Sequence, residues 1–213
     1  SSPSDLATDS SGNVYVADSH NHRIQVLGPR GQVLRQWGSE GAEAGQFMEP
    51  WGVAVAADGT VYVADTWNYR IQVFDADGRF LRMWGTFGEV TRPDEFPALL
   101  YGPRDVAVDA EGNLYVADTG NKRIVKYDPN GLLLGAVGGE GSNPGQLLEP
   151  VGIDVAADGT LYVADTWNQR IQVFSAELEF LREFRVYAWS GMSVLNKPYL
   201  AVDALGDIYV TDP

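Results

Sequence analysis

The stretch YVADTWNYRIQV, residues 62–73, decides the fold because close copies of it recur along the chain. The copies read YVADSHNHRIQV from residue 15, YVADTGNKRIVK from residue 115 and YVADTWNQRIQV from residue 162, and YVTDP from residue 209 begins a fifth. Their first tyrosines lie 47, 53, 47 and 47 residues apart. A repeat of this period indicates an array of supersecondary units, such as a propeller or a solenoid.

Each complete repeat contains four short apolar segments. In the second repeat these are GVAVA, TVYVAD, RIQVFD and RFLRMWG, within residues 52–85. The segments are rich in Val, Ile, Tyr and Phe and are too short for helices, so the pattern predicts strands. Asp58-Gly59 and Asp77-Gly78 separate two of the pairs, and glycine supplies the positive φ that tight hairpins need. Each repeat is therefore predicted to be a four-stranded antiparallel meander.

Four strands per unit and a period in the forties are typical of a β-propeller blade. The string Tyr-Val-Ala-Asp-Thr-x-Asn-x-Arg-Ile-Gln-Val, with a Gly-Gln-Phe or Gly-Gln-Leu and a Pro-x-Gly-Val-Ala-Val lead-in, resembles the NHL repeat family. The resemblance covers almost the whole chain. It implies an all-β propeller of NHL type, a fold on which six blades are usual.

We predict one propeller domain over residues 1–213, with four complete blades and half of a fifth. A six-bladed ring needs more strands than this chain supplies. We therefore expect either that the chain is part of a longer polypeptide that completes the ring, or that its free strand edges pair with a second copy or another partner. The predicted blades span residues 5–38, 52–85, 105–138 and 152–184, and the half blade spans residues 199–212.

Composition and charge predict a soluble globular domain without a nucleic-acid partner. The chain is 45% hydrophobic and 21% charged, and it has no apolar run long enough to span a membrane. Its net charge of −14, from 29 acidic and 15 basic residues, opposes the binding of phosphates over most of the surface. It has no cysteine, which suits an extracytoplasmic bacterial protein at a cell surface or in a periplasm-like compartment.

An aspartate and an arginine five residues apart recur in every complete repeat. The four residues between them form a hairpin loop, so the two side chains can meet across neighbouring strands. Opposite charges placed in this way stabilise by about a few tenths to 1 kcal/mol. Because each carboxylate has its own cation, we predict structural ion pairs and no ring of catalytic carboxylates. The predicted pairs are Asp18–Arg23, Asp65–Arg70, Asp118–Arg123 and Asp165–Arg170.

Positions that differ between repeats on one face are the candidates for ligand binding. The tips of the hairpins between second and third strands read SHNH, TWNY, TGNK and TWNQ, and in a propeller they share a face with the linkers between blades. We expect the constant asparagine to adopt the left-handed backbone conformation. At the channel mouth the linker prolines precede Ser4, Trp51, Arg104 or Val151. The candidate ligand-binding residues are Trp51, Trp67, Tyr69, Arg104 and Trp167.

Acidic residues share this face with the aromatic ones. An aromatic and acidic surface suits a polar, neutral or cationic ligand such as a sugar or a basic peptide. We therefore predict a non-catalytic binding or scaffolding module for protein, peptide or carbohydrate ligands. In the alternative interpretation the tryptophans lie flat against a neighbouring blade. The acidic residues are Glu40, Glu43, Glu49, Asp94, Glu95, Glu140 and Glu149.

The alternative function is an enzyme of the lactonase or lyase type with calcium or zinc in the channel. NHL-like propellers that act as amidating lyases use a histidine-bound zinc, but the two histidines here, His20 and His22, lie on one hairpin tip and cannot close such a site. Asp5 and Asp105 precede inner strands and could bind calcium, although glycines occupy the equivalent positions of the second and fourth repeats. We predict no catalytic residue, no metal site and no cofactor.

The last linker departs from the repeat. RVYAWSGMSVLNKPYLAVD follows Phe184, and Leu178 stands where the other three repeats have a hairpin glycine. The run Trp189-Ser190-Gly191 with Asn196-Lys197-Pro198-Tyr199 is similar to late blades of NHL propellers attached to large polytopic membrane proteins of filamentous bacteria. In those proteins the propeller lies beside a glycosyltransferase-like membrane domain, so this resemblance implies a membrane-attached propeller.

Overall fold

A computed structural model of the chain describes residues 3–189 and 198–211, so Ser190, Gly191, Asn196 and Lys197 of the divergent linker lie outside it. Each repeat forms one antiparallel sheet with its strands in sequence order. Blade 1 contains β1 (Asp5–Thr8), β2 (Val14–Asp18), β3 (Arg23–Leu27) and β4 (Val33–Trp37). Blade 2 contains β5 (Pro50–Val55), β6 (Val61–Asp65), β7 (Arg70–Phe74) and β8 (Phe80–Trp84).

The linker after blade 2 carries the six extra residues of the longest repeat, and it contains a short parallel pair that the sequence did not predict. This pair is β9 (Thr86–Phe87) and β10 (Leu99–Leu100). Blade 3 contains β11 (Pro103–Val108), β12 (Leu114–Asp118), β13 (Arg123–Tyr127) and β14 (Leu133–Gly138). Blade 4 contains β15 (Pro150–Val155), β16 (Leu161–Asp165), β17 (Arg170–Phe174) and β18 (Phe180–Arg185), and the half blade contains β19 (Leu200–Val202) and β20 (Ile208–Val210).

The predicted all-β propeller, with four complete blades and the first two strands of a fifth, is confirmed. In the part of the chain that the structure describes, no helix is long and apolar enough to cross a membrane. The inner strands pack side by side in the order β1, β5, β11, β15 and β19 around a central channel. The linkers and the tips of the second hairpins therefore lie together on one face, as expected for this fold.

The hydrophobic core lies between consecutive blades. Every residue of β6 and β7 is buried, because blade 2 is covered on both sides, whereas the outer strand β8 is partly exposed. Between blades 2 and 3, for example, Tyr62 and Ile71 pack with Val106, Leu114 and Tyr127. Equivalent clusters fill the other three interfaces. The repeats are nearly identical because every blade interface is filled by the same side chains in the same arrangement.

The exception at Leu178 has a steric cause. Trp84 on β8 lies over the hairpin glycine of blade 3, Gly131, where an added Cβ would be 2.9 Å from the indole. The equivalent position on β14 is Val137, which is smaller, and Leu178 joins the core cluster next to it. Leu178 keeps the positive φ of the glycines, at 66°. Its buried contacts therefore compensate for a backbone conformation that glycine adopts without strain.

The four predicted ion pairs are present, with Arg Nε to Asp Oδ2 distances of 2.7–2.8 Å. The stabilisation expected for these pairs from the sequence, about a few tenths to 1 kcal/mol, applies to exposed charges, but three of the four pairs are buried. In blades 2, 3 and 4 no side chain of a pair is more than 8% exposed, whereas Arg23 in blade 1 is 32% exposed. The difference arises because the linker that precedes each of blades 2, 3 and 4 covers its arginine.

Arg70 shows how the linker and the pair hold each other. While Nε binds Asp65, Nη1 donates to the carbonyl of Ala42 at 2.6 Å, and Nη2 donates to the carbonyls of Glu43 and Gln46 at 3.0 Å each. The other carboxylate oxygen of Asp65 accepts the N–H of Met48 at 2.7 Å. The pair therefore fastens the linker that joins blades 1 and 2 to the hairpin of blade 2. Burial raises the pKa of Asp65 even with this cation beside it.

The constant asparagine has a role other than the predicted one. In blade 2 this residue is Asn68. Its side-chain amide donates to the carboxylate of Asp65 at 2.9 Å and to the linker carbonyl of Gly41 at 2.8 Å. The neighbouring Thr66 donates to the carbonyl of Pro103 in the next blade at 2.8 Å. The repeated tip residues thus tie blades 2, 3 and 4 to the linkers before them and blades 1, 2 and 3 to the blades after them. The left-handed conformation falls on the residues that follow the asparagines, His22, Tyr69, Lys122 and Gln169.

The first and last strands each present a face without a neighbour among the described residues. Leu6 is 64% exposed, whereas the equivalent Val53 and Val106 are buried. Tyr209 is 59% exposed, whereas the equivalent tyrosine of every complete blade, such as Tyr62, is buried. These two faces therefore have the chemistry of a blade interface but no covering blade.

We expect the four ion pairs to differ in their contribution to stability. Arg70→Ala and Arg123→Ala leave a buried carboxylate without its cation and a linker without its donors, so each should lower the free energy of unfolding by about 3–5 kcal/mol. Arg23→Ala should cost about 1 kcal/mol or less, because its side chain is one-third exposed. Urea unfolding of the three variants measures this, and equal costs at all three sites would contradict the role of the linkers.

We also expect the 213-residue chain by itself to associate through its uncovered faces. Light scattering should give a mass above that of the monomer, and the double variant Leu6→Ser/Tyr209→Ser should shift it toward the monomer. Leu132→Ser is the control, because Leu132 is equally exposed but lies on a turn of blade 3 away from both faces. A strictly monomeric wild-type chain that closes into a ring would rule out this expectation.

Candidate functional site

A pocket of about 420 Å³ lies on the linker and hairpin face, where blades 2, 3 and 4 meet. Trp67 from the tip of blade 2, Trp167 from the tip of blade 4 and Arg104 from the start of β11 line it. The two tryptophans are 42% and 56% exposed. Three of the five predicted ligand-binding residues therefore surround one pocket, and about half of each indole faces solvent.

The backbone and one carboxylate hold Trp67 in place. Its tip is a single turn of 3₁₀ helix, Thr66–Asn68, which the left-handed Tyr69 ends. The N–H of Trp67 donates to the carbonyl of Met48 at 3.2 Å, and its indole Nε1 donates to Glu49 at 3.0 Å. The predicted acidic residue Glu49 thus orients an aromatic side chain.

Tyr69 does not line the pocket, although the sequence placed it among the candidates. Its ring contacts those of Phe87 and Tyr101, with centroids 4.9 and 6.3 Å away. Phe87 and Tyr101 belong to the long linker after blade 2 and are themselves 5.3 Å apart. Tyr69 therefore helps to hold this linker against blade 2, and it contacts the pocket through the ring of Tyr101.

Tyr101 lines the pocket and was not predicted. The tip of blade 3 has Gly120 where the other tips have His20, Trp67 and Trp167. A Cβ at Gly120 would lie 2.4 Å from the ring of Tyr101, and the N–H of Gly120 donates to the carbonyl of Tyr101 at 2.8 Å. Tyr101 thus takes the place of the missing tip side chain. The signal in the sequence was the coincidence of a glycine at a variable tip with an insertion in the linker before it.

Trp51 and Arg104 occupy equivalent positions in blades 2 and 3 and contact each other. The guanidinium carbon lies 4.5 Å from the centre of the indole, as in a cation–π contact. Nε1 of Trp51 and Nη1 of Arg104 are buried, and neither has a hydrogen-bond partner among the described residues. The other two positions of this ring are structural: Ser4 accepts a hydrogen bond from Ser19 at 2.6 Å, and Val151 is buried.

Charged residues surround the pocket. Glu149 and Lys122 line it, and Lys122 forms an ion pair with Glu140 at 3.1 Å. A second cavity, of about 410 Å³, adjoins the pocket through Tyr101, Gly120 and Lys122. The long linker supplies its far wall with Arg92 and its neighbours. The insertion therefore extends the site outward over blade 3.

Three carboxyl groups face a separate cavity, of about 340 Å³, between the inner strands in the channel. Each accepts the backbone N–H of a residue on the inner strand of the next blade, at 2.7–2.8 Å. Each therefore joins two neighbouring blades and has one oxygen committed to an amide. The three bonds link Asp5 with Val53, Asp105 with Ile153 and Asp154 with Val202.

The channel carboxyl groups are electrostatically linked. Burial raises the pKa of Asp5 to about 7, and the charge of Asp154 adds to this effect. Burial also raises the pKa of Asp105 well above its usual range, and so does the nearby charge of Asp5. Because the pKa of Asp5 is raised to about 7, this carboxyl group holds a proton below neutral pH. Burial likewise raises the pKa of the Tyr199 phenol, which interacts with both.

Within residues 3–189 and 198–211, no group of three or more His, Asp or Glu side chains is arranged to hold a metal ion. The structure brings Asp5 and Asp105 together in the channel, as the calcium alternative required of them. His22 has another use, because its Nδ1 accepts the N–H of Glu49 in the following linker at 3.1 Å.

Comparisons with known proteins agree with this architecture. Protein brain tumor of Drosophila melanogaster is 28% identical over 137 residues, which are 64% of this chain and 12% of that protein. Virginiamycin B lyase from Staphylococcus aureus superposes with a TM-score of 0.69 at 17% identity, over 97% of this chain and 62% of that one. A chain of the nidogen/laminin complex superposes with a TM-score of 0.64 at 21% identity, over 88% of this chain and 65% of that one.

The chain thus spans about an eighth of the length of the curated relative and less than two-thirds of the length of these solved structures. Because the sequence identity to the solved structures is below 25%, the likeness to them shows the fold and nothing more. The family model of the NHL repeat matches four times, at residues 1–27, 47–74, 100–127 and 147–174. These four matches cover more than half of the chain and coincide with the inner three strands of the four complete blades. The chain belongs to the NHL repeat family and is a β-propeller.

Proposed function

We propose that this propeller is a non-catalytic binding module whose protein, peptide or carbohydrate ligand occupies the pocket on the linker and hairpin face. The observation that carries the proposal is that three blades contribute Trp67, Arg104 and Trp167 to one pocket. These positions vary between repeats, whereas the side chains beneath them are constant. The constant interior residues are therefore constrained by the fold, whereas the pocket residues can differ according to the ligand.

The physical properties of the pocket suit recognition. Indole rings offer a large, rigid contact area at a small cost in conformational entropy, and half of each ring is already exposed. Both tips that carry them are fixed by hydrogen bonds to the preceding linkers, and the tip of Trp67 is also bonded to the next blade. A pocket of about 420 Å³ lies within the usual range for small-molecule sites.

The fold by itself does not choose between binding and catalysis. Similar solved structures include a complex of nidogen with laminin and a lyase in a catalytically inactive form with quinupristin. The alternative for this chain is a channel enzyme of the lactonase or lyase type, centred on Asp5 and Asp105. The bonds from these carboxylates to Val53 and Ile153 instead favour a structural use, since they join neighbouring blades.

A structural use of Asp5 predicts a pH dependence of stability. The pKa of Asp5 is about 7 in the folded state, above its ordinary value of 3.8. The folded protein therefore binds more protons between these values, and the free energy of unfolding falls as the pH rises through this window. Asp5→Asn keeps an acceptor for the amide of Val53 and removes the titrating group. The free energy of unfolding of this variant should therefore decrease less as the pH rises, and the variant should be more stable than the wild type above pH 7.

Urea unfolding at about pH 5 and about pH 8 makes the comparison. Asp128→Asn is the control, because the Leu132 amide lowers the pKa of this turn carboxylate below 3.8, and its loss should reduce stability equally at both pH values. If Asp5→Asn follows the wild type at both pH values, then the buried carboxyl pair does not titrate as described.

Binding at the proposed pocket should depend on both tryptophans. We expect a screen of oligosaccharides and basic peptides by calorimetry to give a ligand whose affinity falls at least tenfold in Trp67→Ala and in Trp167→Ala, since truncating a central aromatic anchor costs about 2 kcal/mol. Leu132→Ala, on a turn of the opposite face, should leave the affinity unchanged. Equal affinity in all variants would move the site elsewhere, and a screen without any ligand would favour a plain scaffold.

A further inference from the structure

No carboxylate among the described residues forms an ion pair with Arg104, although the protein has a net charge of −14. The repeat arginines Arg23, Arg70, Arg123 and Arg170 all pair with aspartates. Arg104 forms no ion pair with any described residue, although Glu149 lines the same pocket. Its neighbour in sequence, Asp105, accepts the amides of Val106 and Ile153, each at 2.8 Å. The guanidinium therefore remains available at the centre of the binding face.

Unused hydrogen-bond donors surround this guanidinium. Nη1 of Arg104, Nε1 of Trp51 and the hydroxyl of Tyr199 are all buried, and none has a hydrogen-bond partner within the described residues. The Trp51 ring stacks on the guanidinium, and the Tyr199 hydroxyl lies within electrostatic range of it. Buried polar groups are nearly always hydrogen bonded, and of these three residues Arg104 lines the pocket, so its guanidinium is the group to which an acceptor on a ligand would bind. A planar, charged acceptor such as a carboxylate matches the guanidinium best.

The walls of the pocket define the rest of the ligand. Trp67 and Trp167 present half-exposed indole faces, and Tyr101 adds a third ring. Pyranose rings stack on such faces through their C–H groups and offer hydroxyl groups to polar rim residues such as Glu149 and Lys122. The acidic surface around the pocket repels a chain that carries many negative charges. The ligand is therefore short, or carries few carboxylates among neutral rings.

We propose that the pocket binds a uronic-acid-containing oligosaccharide, with Arg104 holding the uronate carboxylate and Trp67 and Trp167 stacking on the sugar rings. This inference rests on the proposed binding function and specifies its ligand. It replaces the neutral or cationic ligand that the acidic composition predicted, because a cation, Arg104, lines the pocket of this acidic protein.

The test compares short uronic-acid-containing oligosaccharides with their carboxyl-reduced neutral counterparts by calorimetry, with cellobiouronic acid and cellobiose as one such pair. We expect the acidic member of the preferred pair to bind at least tenfold more tightly, and Arg104→Gln to remove this preference while weak binding of the neutral sugar persists. Arg104→Lys should retain part of the preference, because a lysine keeps the charge but not the bidentate geometry. Added salt should reduce the preference.

Arg79→Gln is the matched control, since it makes the same charge change at an exposed arginine of a blade 2 turn, and it should leave the preference intact. Thermal unfolding of each variant checks that the fold is retained. Equal affinity for acidic and neutral sugars would overturn the carboxylate assignment and leave the proposed binding function standing. Binding of peptides with no sugar bound, or no binding of any kind, would overturn the inference, and only the latter would also count against the binding function.

Discussion

In blades 2, 3 and 4 one buried arginine lies between an aspartate of its own hairpin and carbonyl groups of the linker before it. This interaction joins three parts of the chain, because the aspartate also accepts a linker amide, as Asp65 does from Met48. A loop without regular structure is otherwise hard to fix, since its backbone groups lack partners. The ion pair supplies those partners, and the linker in turn shields the pair from water. Because the linkers and tips carry the variable residues, the pocket depends on this clamp for its shape.

The inner strands show a second way of joining blades, and it differs from blade to blade. Asp5 and Asp105 reach across to an amide of the next blade. Gly52 and Gly152 stand at the equivalent positions and let the backbone of the next inner strand approach directly, so that a Cβ at Gly52 would lie 2.7 Å from the Cα of Asp105. Either solution satisfies close packing at the narrow centre of the propeller. The presence of carboxyl groups in the channel is therefore explained by their structural role, without a catalytic or metal-binding one.

The sequence predicted the strands, their order and the ion pairs, because each depends on local periodicity and on contacts across one hairpin. It could not predict that linkers cover the pairs, which depends on how residues 24–28 positions apart meet, as Arg70 does with Ala42 and Gln46. For the same reason Tyr69 was placed in the pocket and Tyr101 was missed. The insertion that exchanges their roles has no counterpart in the other repeats, so the repeat offered no template for it.

Charge illustrates why composition and site can point in opposite directions. The excess of acidic residues, 29 against 15 basic ones, describes the average field and opposes the binding of ligands that carry many phosphates. The field inside a concave pocket is set by the few groups that line it, since solvent screens more distant exposed charges within about 10 Å. The arginine stacked on Trp51 can therefore attract one carboxylate, while the surrounding acidic surface repels polyanions. Selectivity for a singly charged ligand then arises from attraction at the pocket and repulsion around it, two effects of different range.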